Sequence, residues 1–299
     1  MTEPQAPLFI LGAPFSGAAY LAAQLGQHPQ LYALPELRLF MADSLEELLN
    51  IFELSQGPQV DGLLRAVAQI EFGSQSDAGI EAARDWLKRN AHWSVGELLH
   101  ELAVRVAPSR LVIPDAESPL RPMDLRRLQR HVPGVQVVHL LRHPWTQGCL
   151  LSAWARERLF VPMDYKDHGW KPLIIDPQIP WLRANDNIER AFPEPLQRLW
   201  IEALDIDPLA VRSTLCRLLK LATDDAALNA MSRPEAWLFD GLGPRSAPYG
   251  LEPDAFEPFR QADLELAGQA CLDLPLPWRP DSDGFAPEVL ELARRYGVS

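Results

Sequence analysis

The turn Gly12-Ala13-Pro14-Phe15-Ser16-Gly17-Ala18-Ala19 joins an apolar run, Pro7 to Leu11, to a helix-forming stretch, Ala18 to Gln27. A short turn between a buried strand and a helix gathers several backbone N–H groups at the helix start. Those donors and the helix dipole attract anions, phosphate above all. Gly12 and Gly17 allow the tight backbone and a close ligand approach. The turn lacks the lysine of a nucleotide kinase loop, and no magnesium-binding hydroxyl sits beside it, which speaks against that class. A plain connection between strand and helix is the other reading of the same residues.

Two further places carry candidate chemistry. The run Val135 to Leu141 delivers Arg142 at its end, followed by His143-Pro144. An arginine fork grips phosphate, and in open parallel sheets ligands sit beyond the strand C-termini. Arg142 pairing with Asp115 or Glu117 is the alternative. Asp115 and Glu117 follow the run Arg110 to Ile113. A carboxylate on a half-buried strand end has a raised pKa and takes a hydroxyl proton. Solvent-facing loop acids paired with Arg121 or Arg142 are the other reading. Glu36 is a further acid near the same cleft and reads as structural. His139 alternates with apolar residues and reads as packed, and His143 points away from Arg142.

The elements that must position these residues are legible in outline. Strands are expected at Pro7–Leu11, Arg110–Ile113, Val135–Leu141 and Leu196–Ile201, each a short run bounded by breakers. Helices are expected at 44–52, 59–72, 77–90, 94–106, 123–131, 144–159, 207–221 and 287–296. Ser94 and Glu97 form a capping-box pattern. The stretch 160–182 is rich in Pro, Trp and Asp and reads as a long loop or lid. Trp145, Trp154, Trp170 and Trp181 flank it, either lining an apolar acceptor pocket or anchoring the loop by burial. Residues 232–260 hold many Gly and Pro and few periodic apolar positions. Strands separated by helices imply parallel pairing with right-handed crossovers. The expected fold is one α/β domain over residues 1–299, a central parallel sheet flanked by helices with a P-loop-like turn.

Composition sets limits. The chain has 299 residues, 47% of them hydrophobic, and a formal net charge of −12. That charge argues against binding nucleic acid or acidic membranes. Cys149, Cys216 and Cys271 show no metal spacing, and the start of the chain has no signal-peptide pattern, so a cytoplasmic protein without metal is expected.

The chain resembles the bacterial branch of the PAPS-dependent sulfotransferases. Phe9 to Gly17 is similar to the family's 5′-phosphosulfate loop. Gln27-His28-Pro29 with Leu34-Pro35-Glu36-Leu37 is similar to its HP…PEL segment, and Glu117-Ser118-Pro119 stands where the family has Lys-Ser-Pro. Val138 to Pro144 resembles the 3′-phosphate strand and turn, and Glu202 to Pro208 a later acidic segment. Gly241 to Gly250, which contains Arg245, resembles the glycine-rich loop over the nucleotide. The resemblance implies the sulfotransferase fold, PAPS as sulfuryl donor, a hydroxyl of a small molecule or carrier-bound intermediate as acceptor, and a base near the second strand's end, here Asp115 or Glu117. It implies nucleotide contacts from Phe15, Ser16, Gly17, Ala18, Ala19, Arg142, Ser152 and Arg245.

Departures from the pattern are concentrated in the functional residues. Phe15 replaces the family's cation, Ala18 and Ala19 its hydroxyls, and Glu117 its lysine. Leu150 stands where it has a serine, leaving Ser152 as the nearest hydroxyl. Sulfuryl transfer relies on cations and donors around the bridging oxygens. Two expectations follow: a sulfotransferase with weak or undetectable PAPS affinity, or a sulfotransferase fold that serves as a binding partner or runs another reaction in the same cleft.

Overall fold

The computed structural model describes residues 4–55, 58–156, 165–167, 174–249, 271–280 and 283–298. The run Leu8–Gly12 is buried at every position and forms β1, the middle strand of the sheet. A strand covered on both faces needs apolar residues throughout rather than alternation. Around it lie β2 (Leu31–Ala33), β3 (Arg110–Asp115), β4 (Gln136–Leu141) and β7 (Gln197–Trp200), in the order β2-β3-β1-β4-β7 and all parallel. Their C-terminal ends therefore share one edge. Leu11 of β1 is in register with Asp115 of β3 and His139 of β4, and Gly12 with Leu140.

Helix α1 (Ala18–Leu25) follows the β1 turn. Between β2 and β3 come α2 (Leu45–Ser55), α3 (Asp61–Phe72), α4 (Asp77–Arg89) and α5 (Val95–Val106). The expected capping box at the start of α5 is present. Ser94 Oγ accepts from Glu97 N, and Glu97 Oε2 from Ser94 N. Such a cap contributes about 1 kcal/mol. Helix α6 (Pro122–His131) leads into β4, and α7 (Pro144–Arg156) leaves it.

The described part of the stretch 160–182, expected to be a long loop or lid, departs from that reading, and residues 160–164 and 168–173 lie outside the described residues. Lys166–Asp167 (β5) and Ile174–Ile175 (β6) pair antiparallel, and Gln178–Ala191 is a fourteen-residue helix, α8. Trp181 is fully buried on it, with Ala184, Asn185 and Ile188 on the same face. The prolines before it mark a helix start rather than a loop. Trp170, and residues 157–159 of the expected 144–159 helix, lie outside the described residues. Helices α9 (Ala203–Ile206), α10 (Pro208–Leu218) and α11 (Asp225–Ala230) follow β7, and α12 (Pro287–Arg295) comes last.

Three apolar clusters hold the layers together. The largest packs the sheet against α1 to α6. A second joins Leu141 and Trp181 to Leu272, Leu276, Phe285 and Val289 of the C-terminal segment. The third lies at the strand-end edge and includes Ala13, Leu120, Leu151, Ala155 and Tyr165, with Phe15 and Trp154 against it.

Candidate active site

The β1 turn is built by close backbone approach. Ser16 N donates to Ala13 O at 2.9 Å, and Phe15 and Gly17 both take positive φ, 67° and 88°. A Cβ at Gly12 would collide with Ser16 Oγ and the Leu140 carbonyl, so only glycine lets the serine lie over the β1–β4 seam. Gly17 caps α1 with no side-chain bond, and the first intrahelical bond is Leu21 N to Gly17 O. The N–H groups ahead of that bond face outward from the helix end, as an anion site requires. Ser16 Oγ is buried and has no hydrogen-bond partner among the described residues.

Phe15 directs its ring into the third cluster, edge-on to Trp154 with centroids 5.7 Å apart. A positive φ is unusual for a bulky residue. Aromatic packing thus occupies the position where the resembled family places a cation. Of the tryptophans flanking the expected lid, Trp154 borders this cluster and Trp181 is core. Trp145 donates to Pro275 O at 3.1 Å, which fastens the C-terminal segment.

The β3 end supplies Asp115. Its Oδ1 accepts from Ser118 N at 2.8 Å and Glu117 N at 3.1 Å, and Oδ2 accepts from Ser118 Oγ at 2.6 Å. Burial, with the Glu36 carboxylate beside it, pushes Asp115 up to about 7 despite those bonds. Asp115 is therefore no solvent-facing acid. Glu117 is half-buried and lies 3.9 Å from both Arg38 and Arg121. Glu36 accepts from Ala116 N at 2.8 Å and pairs with Arg38 at 3.3 Å.

The β4 end supplies Arg142, which is buried; Trp181 Nε1 donates to its carbonyl at 2.9 Å. The His143 backbone N–H donates to Glu202 Oε1, and its Nδ1 accepts from Trp145 N. His139 bonds Asn185 Oδ1 at 2.9 Å inside the core. Burial lowers both histidines to about 4, so both stay neutral near pH 7. Cys149 is pushed up to about 11 by burial and carries no reactive thiolate.

The turn residues Phe15 to Ala19, Asp115, Glu117 and Arg142 thus lie at or just beyond the C-terminal ends of three adjacent strands. Ser152 is buried two turns into α7, its Oγ without a hydrogen-bond partner among the described residues. Arg245 stands apart. Arg65 fastens its loop to α3 by bonds to the carbonyls of Phe239, Gly241 and Tyr249. Ser246 binds Asp77 of α4, and the exposed Arg245 lies beside that carboxylate. No hydrogen bond or ion pair links Arg245 to the β1 turn among the described residues.

One buried polar residue here escaped the sequence reading. Gln147 on α7 is fully buried, and neither end of its amide has a hydrogen-bond partner among the described residues. Its only sequence signal is a position five residues beyond the strand-end arginine. Among the described residues no group of three or more His, Cys, Asp or Glu side chains is arranged to hold a metal, and no helix is long and apolar enough to cross a membrane.

Residues 7–225 match the model of the sulfotransferase family. Among solved structures, the chain is similar to the sulfotransferase domain of the Synechococcus PCC 7002 olefin synthase, with 20% identity and a TM-score of 0.73. The match covers 100% of this chain and 97% of that one. It is equally similar to the sulfotransferase domain from the curacin biosynthetic pathway, with 20% identity, a TM-score of 0.74, and coverage of 100% and 99%. Curated proteins offer no match.

Proposed function

The chain belongs to the sulfotransferase family, and on that premise we propose that it transfers a sulfuryl group from PAPS to a hydroxyl of a small-molecule or carrier-bound acceptor. The observation that carries the reading is the placement of Ser16, Asp115 and Arg142 at the ends of three neighbouring strands, with Asp115 poised to exchange a proton near neutral pH. The turn suits the anionic end of such a donor: Gly12 leaves room for the buried Ser16 hydroxyl, and the α1 N–H groups need no side-chain charge. Bound PAPS supplies a sulfuryl group already joined to a phosphate leaving group.

The chain's own residues do the rest. The turn holds anionic oxygens, and Arg142 and Ser152 contact phosphate. Asp115 takes the acceptor's hydroxyl proton as the acceptor oxygen bonds to sulfur. The old sulfur–oxygen bond breaks with its electron pair staying on the departing phosphate. Glu117, tied to two arginines, is the poorer base. The aromatic cluster of Phe15, Trp154 and Tyr165 suits an apolar acceptor. Three free thiols favour a reducing, cytoplasmic setting. The mechanism uses no metal.

Transfer of labelled sulfate from PAPS to a panel of hydroxyl acceptors tests the reading. Asp115→Asn is expected to lower kcat by about a hundredfold, leaving PAP affinity within about twofold, while Glu117→Gln keeps most turnover. Wild-type turnover in Asp115→Asn would remove the base assignment. A second reading, a family fold that no longer uses PAPS, is favoured by one observation: Phe15 packs as an apolar residue where a cation is expected. A folded wild type that neither transfers sulfate nor binds PAP would select it.

A further inference from the structure

We propose that Gln147 contacts the bound anion, its side-chain N–H donating to a sulfate or phosphate oxygen in place of the cation missing at Phe15. This deepens the sulfotransferase reading and rests on it only for the identity of the anion. The argument begins with burial. Gln147 is 0% exposed, Ser16 is 1% exposed, and the side-chain polar atoms of both lack hydrogen-bond partners among the described residues. A buried amide left without partners costs stability, and native proteins rarely keep one that has neither water nor ligand to meet.

Helical geometry gives its direction. Gln147, Leu151 and Ala155 are spaced four apart and lie on one stripe of α7. Leu151 and Ala155 pack in the cluster that contains Ala13 and borders Phe15, so that stripe faces the β1 turn. Gln147 is the member nearest the β4 end. Ser16 Oγ lies over the same seam, against Gly12 and the Leu140 carbonyl. At the next position along α7, beside this stripe, the Trp278 ring lies so close to Gly148 that a Cβ there would strike it. The C-terminal segment therefore packs against α7 next to the stripe that carries Gln147. Neutral donors fixed in a water-poor site bind anions by dipole alone.

The test is calorimetric titration of wild type, Gln147→Met and Gln147→Glu with PAP and, separately, with inorganic pyrophosphate. Methionine keeps the volume and removes both polar atoms, so its melting temperature should equal or exceed wild type. For whichever anion wild type binds, Gln147→Met should weaken affinity by about tenfold or more, and Gln147→Glu further still. If PAP fails to bind but pyrophosphate binds and the methionine variant weakens it, Gln147 keeps its role and the PAPS reading falls. Wild-type affinity in Gln147→Met would overturn the inference, as would a wild type that binds neither anion. If methionine prevents folding, the isosteric Gln147→Glu carries the same comparison.

Discussion

Two buried polar groups at the two ends of α7's surroundings show opposite states. Asp176, just ahead of α8, has both carboxylate oxygens engaged. Oδ1 accepts from Gln178 N and Trp278 Nε1, and Oδ2 from Arg279 Nη1 at 2.7 Å and Gln178 Nε2. Gln178 in turn accepts from Ala286 N at 2.7 Å. This network ties the C-terminal segment to α8. The Ser16 hydroxyl at the β1 turn and the Gln147 amide on α7 are equally buried and have no such partners among the described residues. Where protein groups satisfy a buried polar cluster completely, it is architecture. Where buried polar groups are left unmet by protein, an ordered water or a ligand must meet them.

The comparison breaks most visibly at the Asp176 network. Arg279→Ala should leave a buried carboxylate without its cation and cost about 3 kcal/mol or more of stability. Denaturant melts would measure it. A loss under about 1 kcal/mol would mean that this network is not structural. By contrast, Gln147→Met at the turn should leave the melt unchanged or improved.

Asp115 sharpens the comparison from between the two cases, because it is fully hydrogen-bonded yet poorly suited to charge. Its folded-state pKa, about 7, lies above the ordinary carboxylate value, so folding favours its protonated form. Its contribution to stability is fully present below about pH 4 and is lost as pH rises toward about 7. Asp115→Asn removes this dependence, so the variant should gain stability relative to wild type across that window. Parallel stability curves for the two proteins would contradict the burial-driven shift.

Local signals made much of the fold legible in the sequence. Apolar runs gave β1, β3 and β4, and the Ser94–Glu97 pair gave the start of α5. β2 is three residues long, Leu31–Ala33, too short for a periodic signal to separate it from a loop. α8 was hidden because its buried face includes Asn185 and its start is rich in proline. Asp115, Arg142 and Ser16 stood out through their places after strands and within motifs. Gln147 and Asp176 did not, since an unremarkable Gln or Asp is distinguished only by burial and partners, which arise in three dimensions. Arg245 was drawn to the site by its loop's glycines, whereas Arg65 and Asp77, distant in sequence, decide where that loop sits.

The proposed function requires that backbone N–H groups, Ser16 and Arg142 hold an anion at the β1 turn, with Phe15 in place of the cation that the family resemblance implies there. Calorimetric titration of the unmodified chain with PAP at moderate salt tests this most directly. Losing one or two charge-assisted contacts of about 1.5–3 kcal/mol each leaves weak but saturable binding, with Kd on the order of 100 μM. Absence of heat up to about 10 mM PAP would contradict the site. Binding tighter than about 5 μM would contradict the weakening attributed to Phe15 and Glu117.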